Sequence, residues 1–268
     1  MMRCARILLA CCALVSARAA ETPAERGKRV VNEALQALGG DAFSRMEDRL
    51  ETGRAYSFYH SEISGLSIAR IYTRYPSAPD PSAPGKLRVR ERESFGKTET
   101  SAVLFTEDGA WELTYRGALP LEDQRYQNYK DATQRNVFYI LRCRLSEPGL
   151  EFYWQSSDIF ENRPVEIVDI TDAANQTVTV YFDRTSKLPM RQVFRRRNPQ
   201  FKDFDTEVSI FANYRDTGHG VQWPYNIRRE RNGEKIFEMY SESVEIDKNL
   251  TDDLFGIPAK MKILPKPK

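Results

Sequence analysis

The side chains able to do covalent or metal chemistry are few and scattered in this chain. The two histidines, His60 and His219, are far apart in sequence and have no partner at metal-ligand spacing. His219 lies in Asp216-Thr217-Gly218-His219-Gly220, a turn composition, and reads as a solvent-exposed turn residue. No CxxC, HExxH, GxSxG or phosphate-loop pattern occurs. Asp252-Asp253 are read as acids at a helix start, where the backbone dipole favours them. Cys143, on a helical pattern, reads as a small buried hydrophobe. The residue types therefore predict no catalytic constellation, metal site or cofactor, and the function has to come from the shape the rest of the chain builds.

Two basic clusters, Arg195-Arg196-Arg197 and Arg228-Arg229-Glu230-Arg231, adjoin predicted hairpin turns. They fit either an anionic surface or partner, or a solvated strand face balanced by Asp203, Asp205, Glu230 and Glu234. The second reading is preferred.

The N-terminus has the order of an export signal: a basic head with Arg3 and Arg6, an apolar run Ile7–Val15, then Ser16-Ala17-Arg18-Ala19-Ala20. Residues 1–20 are read as a cleaved leader and the protein as periplasmic. Lipidation at Cys11, after Leu8-Leu9-Ala10, is the lesser alternative. The leader carries Cys4, Cys11 and Cys12, so Cys143 alone remains and no internal disulfide is expected. It also carries three of the 40 basic residues, leaving 37 against 38 acids, a net of −1. That balance argues against a nucleic-acid binder, which carries a basic domain.

From residue 21 one domain is expected. Thr22-Pro23-Ala24-Glu25 has the form of a capping box, and Val31, Ala34, Leu35 and Leu38 share one helical face that ends at Gly39-Gly40. Asp41 starts a second short helix. From Glu51 the hydrophobic period becomes two, with a Pro/Ser/Ala-rich loop from Pro76 to Gly85. Asp108-Gly109 and Asn232-Gly233 predict hairpin turns. Leu121–Leu145, with no Gly or Pro, predicts a helix or helix pair among the strands. The expected fold is mainly β with helices: an unclosed, strongly curved antiparallel barrel of ten or eleven strands with helices over its concave face. Residues 259–268 read as a basic tail, with disorder its expected state.

This order of elements resembles the bacterial lipoprotein-localisation fold, the LolA/LolB-like group that includes the lipid-sensing domain of RseB-type regulators. Leu104–Trp111, Val180–Pro189, Asn213–Asp216 with Gly220–Pro224, and the ending Leu254–Pro258 are similar to segments of its outer-membrane lipoprotein-sorting branch. The resemblance implies an apolar concavity, lidded by helices, that holds acyl chains, in a carrier without catalysis. The expected lining is Leu66, Ile68, Tyr72, Leu87, Val89, Trp111, Leu113, Val178, Val180, Phe182, Val208 and Ile210. Arg74 falls where that branch has an arginine that closes the lid, although Tyr75 separates it from Pro76. The implied ligand is a lipid or lipidated protein, handed between membrane-bound donor and acceptor proteins by a monomer. The alternative is an envelope sensor that regulates a membrane partner, as RseB-type domains do.

Overall fold

The computed structural model describes residues 20–76 and 87–266. The leader up to residue 19, Cys11, and all of the predicted loop beyond Pro76 lie outside the described residues.

The first helix, α1 (Pro23–Leu38), starts on the expected capping box. Thr22 Oγ1 accepts from the Glu25 amide at 3.2 Å, and the Glu25 carboxylate accepts from the Thr22 amide at 2.8 Å. Such a cap contributes about 1 kcal/mol. The helix buries Val30, Val31, Ala34 and Leu38. Gly27 brings it close to the sheet: a Cβ there would stand 2.9 Å from the Phe152 carbonyl. A second helix, α2 (Asp41–Arg45), buries Phe43.

Thirteen strands follow: β1 (Asp48–Tyr59), β2 (Glu62–Arg74), β3 (Arg90–Phe95), β4 (Ser101–Phe105), β5 (Ala110–Thr114), β6 (Gly117–Pro120), β7 (Glu151–Phe160), β8 (Arg163–Thr171), β9 (Thr177–Asp183), β10 (Pro189–Asn198), β11 (Asp203–Asp216), β12 (Gln222–Arg231) and β13 (Glu234–Ile246). The expected ten or eleven falls short because pieces as short as the four-residue β6 leave little periodicity to detect. Both predicted hairpin turns form. Thr106 N donates to Gly109 O at 2.9 Å between β4 and β5. Asn232 and Gly233, with φ of 52° and 84°, turn β12 into β13 as the primed turn requires.

Among the described residues all thirteen strands belong to one antiparallel sheet of order β6-β5-β4-β3-β2-β1-β13-β12-β11-β10-β9-β8-β7. The chain thus begins at the centre of the sheet and walks outward to the β6 edge. It restarts at the β7 edge and walks back until β13 pairs with β1. Residues 121–150 must connect the two edges. They form α3 (Asp123–Gln134), α4 (Val137–Tyr139) and a π-helical turn (Ile140–Arg144). This crossover, with α1, covers the concave face. The two edges do not pair, so the barrel is unclosed.

The main core lies between sheet and helices. Val137, Phe138, Ile140, Leu141 and Cys143 from the crossover and Val31, Ala34 and Leu38 from α1 pack on Val168, Ile170, Val178, Val180, Phe182, Phe194 and Phe211. A smaller core sits under the C-terminal segment, where Ile257 and Met261 cover Ala102, Leu104, Leu113 and Ala118. Residues up to 266, expected as a disordered tail, have a defined course. Ala118 N donates to Lys262 O and Leu264 N to Ala118 O, both at 2.8 Å. Among the described residues no helix is long and apolar enough to cross a membrane.

Candidate ligand cavity

Between the crossover and the central strands lies a partly open cavity of about 580 Å³, within the roughly 300–1,000 Å³ of small-molecule sites. Strand alternation decides its lining. On β1 the inward positions are Arg49 and Glu51; on β2 they are Ile71 and Thr73; on β3, Val89 in the preceding segment continues to Glu91 and Glu93. Pairing sets Arg49 beside Thr73 and Thr73 beside Glu91, so adjacent strands carry them side by side at about 4.8 Å spacing. From the other half come Gln192, Phe194 and Arg196 on β10, Glu207, Ser209 and Phe211 on β11, and Trp223, Ile227, Arg229 and Arg231 on β12. Helix α3 contributes Arg125, Asn128, Tyr129, Ala132 and Thr133.

The crossover is held at both ends. Tyr129 stacks on Phe105 with ring centroids 3.7 Å apart, and Tyr126 Oη donates to Thr106 O at 2.6 Å. At the other end, Arg144 donates to Gln134 O at 2.6 Å and to Asp172 at 3.0 Å. Buried Gln192 accepts from Val137 N at 2.9 Å and fixes where the crossover dips into the core. Arg142 donates to Met46 O at 2.9 Å and lies over the Tyr75 ring.

The floor is polar. Arg49 donates to Thr73 Oγ1 at 3.0 Å, lies over the Trp223 ring at 3.9 Å, and faces Glu51 with Nε 3.7 Å from the carboxylate. Glu51 also accepts a short hydrogen bond from Ser241. Removing one partner of so buried a pair costs about 3–5 kcal/mol. Burial first, and then the neighbouring Glu93 carboxylate, push the Glu91 carboxyl up to about 8. Also in the lining, Glu207 binds Arg196 at 2.5 Å and Arg231 at 2.8 Å.

Of the residues expected to line the cavity, Val89 and Val208 are found there. Val178, Val180, Phe182 and Leu87 belong to the filled core. Trp111 and Leu113 lie under the C-terminal segment. Leu66 and Ile68 are on the opposite phase of β2 from Ile71 and Thr73 and are 61% and 41% exposed. Tyr72 shares their phase and donates to Glu99 at 3.1 Å. Ile210 is buried but outside the lining. Arg74 donates to Leu250 O at 2.7 Å and pairs with Asp252 at 3.0 Å, tying β2 to the C-terminal segment.

The basic clusters divide by phase. Arg196, Arg229 and Arg231 line the cavity, whereas Arg195 lies over Phe204 and Arg228 pairs with Glu230 at 2.9 Å. Composition hid this, although continuing the phase of Val89 reaches Glu91 and Glu93. His60 sits exposed in the β1–β2 turn, 3.6 Å from Glu234. Cys143 is buried, which pushes its thiol pKa up and leaves it inert.

No sequence-family model matches the chain, and no curated protein matches it by sequence. Solved structures do match it along most of its length. One is a domain described as an outer membrane lipoprotein-sorting protein from Vibrio parahaemolyticus, with a TM-score of 0.57 and 12% identity over 87% of this chain and 97% of that one. A LolA superfamily protein from Nitrosomonas europaea has a TM-score of 0.50 and 11% identity over 86% and 97%. The fold is that of the LolA-like lipoprotein-sorting proteins. A DUF1329 family protein from Desulfovibrio piger shares it too, with a TM-score of 0.57 and 10% identity over 88% and 98%. At such identities the LolA-like likeness concerns the backbone architecture, and the lining of the cavity is this chain's own.

Proposed function

We propose that this LolA-like chain is a periplasmic carrier that shields an amphiphilic ligand, a lipid or a lipid-modified protein, between membrane-bound donor and acceptor proteins, without catalysing a reaction. The observation that carries the reading is the cavity of about 580 Å³ between sheet and crossover, lined by Phe105, Tyr129, Phe194, Phe211, Ile227 and Met239 together with charged groups. An acyl chain placed against the apolar part gains about 0.8 kcal/mol for each methylene removed from water. The charged part then serves the ligand's polar end.

The leader, read from sequence, supplies the compartment. The lid supports reversible loading: α3 contributes no fully buried residue, so moving it exposes less apolar surface than moving the π-helical turn. Native mass spectrometry of the gently purified protein tests the reading. The expected spectrum contains a bound species of lipid mass that delipidation removes and added fatty acid restores. An unliganded spectrum that stays so with added fatty acid contradicts it.

A further inference from the structure

Two donors in the cavity floor have no acceptor among the described residues: Arg49 Nε and Trp223 Nε1. Both side chains are built in. Arg49 is 8% exposed at its side chain and Trp223 3% exposed overall. The guanidinium is fixed over the indole at 3.9 Å and held from the side by Thr73 at 3.0 Å. Glu51, at 3.7 Å from Nε, is beyond hydrogen-bond reach. Both residues line the cavity, the two nitrogens themselves are covered by their neighbours so that a ligand group reaches them only with a small side-chain shift, and buried donors of this kind are normally satisfied.

The charge around them has a sign. The lining holds five arginines, Arg49, Arg125, Arg196, Arg229 and Arg231, and four glutamates, Glu51, Glu91, Glu93 and Glu207. Glu207 is engaged by two of the arginines and Glu51 by Arg49 and Ser241. Burial and the neighbouring Glu93 push the Glu91 carboxyl up to about 8, so that it holds its proton near neutral pH. The cavity therefore has an excess of positive charge, and its unmatched groups are donors.

We propose that Arg49 and Trp223 form a subsite for the acidic end of the ligand, a carboxylate or a phosphate monoester, while its chain lies along the apolar lining. This rests on the carrier reading and narrows it to anionic amphiphiles. The guanidinium lies 3.9 Å from the indole centroid, and each oxygen of such a group accepts more than one hydrogen bond, so the two oxygens of one acid have acceptors enough for both donors. A hydroxyl has the acceptor but not the charge, and an ammonium has neither.

The test displaces a fluorescent apolar probe from the full chain with four ligands of one chain length: palmitate, hexadecyl phosphate, hexadecanol and hexadecyltrimethylammonium. The expected order places one or both acids about tenfold tighter than the alcohol, the size of one charge-assisted hydrogen bond, and whichever acid leads identifies the headgroup. Trp223→Phe keeps an aromatic face under Arg49 but removes Nε1–H, and lowers the acid-to-alcohol ratio severalfold. Equal or tighter binding of the alcohol or the ammonium overturns the subsite and leaves the carrier reading standing, as does an unchanged ratio in Trp223→Phe. No displacement by any of the four overturns the carrier reading itself.

Discussion

Glu91 makes the cavity measurable through pH. In an unfolded chain it titrates near the ordinary 4.5, and in the fold it is pushed up to about 8 by burial and by Glu93 beside it, against the opposing pull of Arg49 and Arg229. Between those values the folded state holds a proton that the unfolded state has lost, so stability falls as pH rises from about 5 to about 8. Glu33, Glu166 and Asp172, whose carboxyls are lowered instead, lose their contribution only at more acid pH. Thermal unfolding of the wild type should shift down across this window, and Glu91→Gln should flatten the profile. A wild-type midpoint that holds level or rises would contradict the assignment. The inward phase of Glu91 and Glu93 was readable from Val89 onward. What hid it was the expectation that a concave face facing helices must be apolar: Val178, Val180 and Phe182 alternate just as cleanly, yet they fill the core under α1. Period two identifies a face and leaves open whether side chains or a ligand occupy the space in front of it.

Among the elements, the crossover combines two different degrees of anchorage. α3 has no buried residue and is held by the Phe105–Tyr129 stack, the Tyr126 bond to Thr106, the Arg144 bond to Gln134 O and the Lys266–Asp123 pair. The π-helical turn after it buries Ile140, Leu141, Cys143 and Arg144. Few buried contacts mean low-energy local opening. Amide hydrogen exchange should therefore be orders of magnitude faster over 123–134 than over 140–144, and Tyr129→Ala should speed the first without changing the second. Equal protection of both would mean that α3 is not a lid. The capping box of α1 and the turns at Asp108-Gly109 and Asn232-Gly233 were legible because each is a local rule. The π-helical turn was not, since Ile140–Arg144 looks like any helix and its widening comes from packing into the sheet.

For the molecule as a whole, the ordering of the sheet assigns the crossover its place. A meander that begins at β1, runs to one edge and returns from the other leaves one connection to bridge the concave face. Strand periodicity, two helical segments and their order along the chain were enough to anticipate that architecture. The central pair β1–β13 was not readable, because it joins segments almost two hundred residues apart, at Arg49 and Ile246 for example, with nothing local to mark them. The architecture also spaces the three tryptophans usefully: Trp223 lines the cavity, Trp154 lies under Arg26 of α1, and Trp111 packs under the C-terminal segment. Since bromine quenches indole fluorescence only near contact, a fatty acid brominated along its chain reports where it sits. The account predicts that saturating brominated acid quenches the wild type, that Trp223→Phe abolishes the quenching, and that Trp111→Phe and Trp154→Phe retain it. Quenching that survives in Trp223→Phe and disappears in Trp111→Phe or Trp154→Phe would place the ligand outside the cavity and contradict the account.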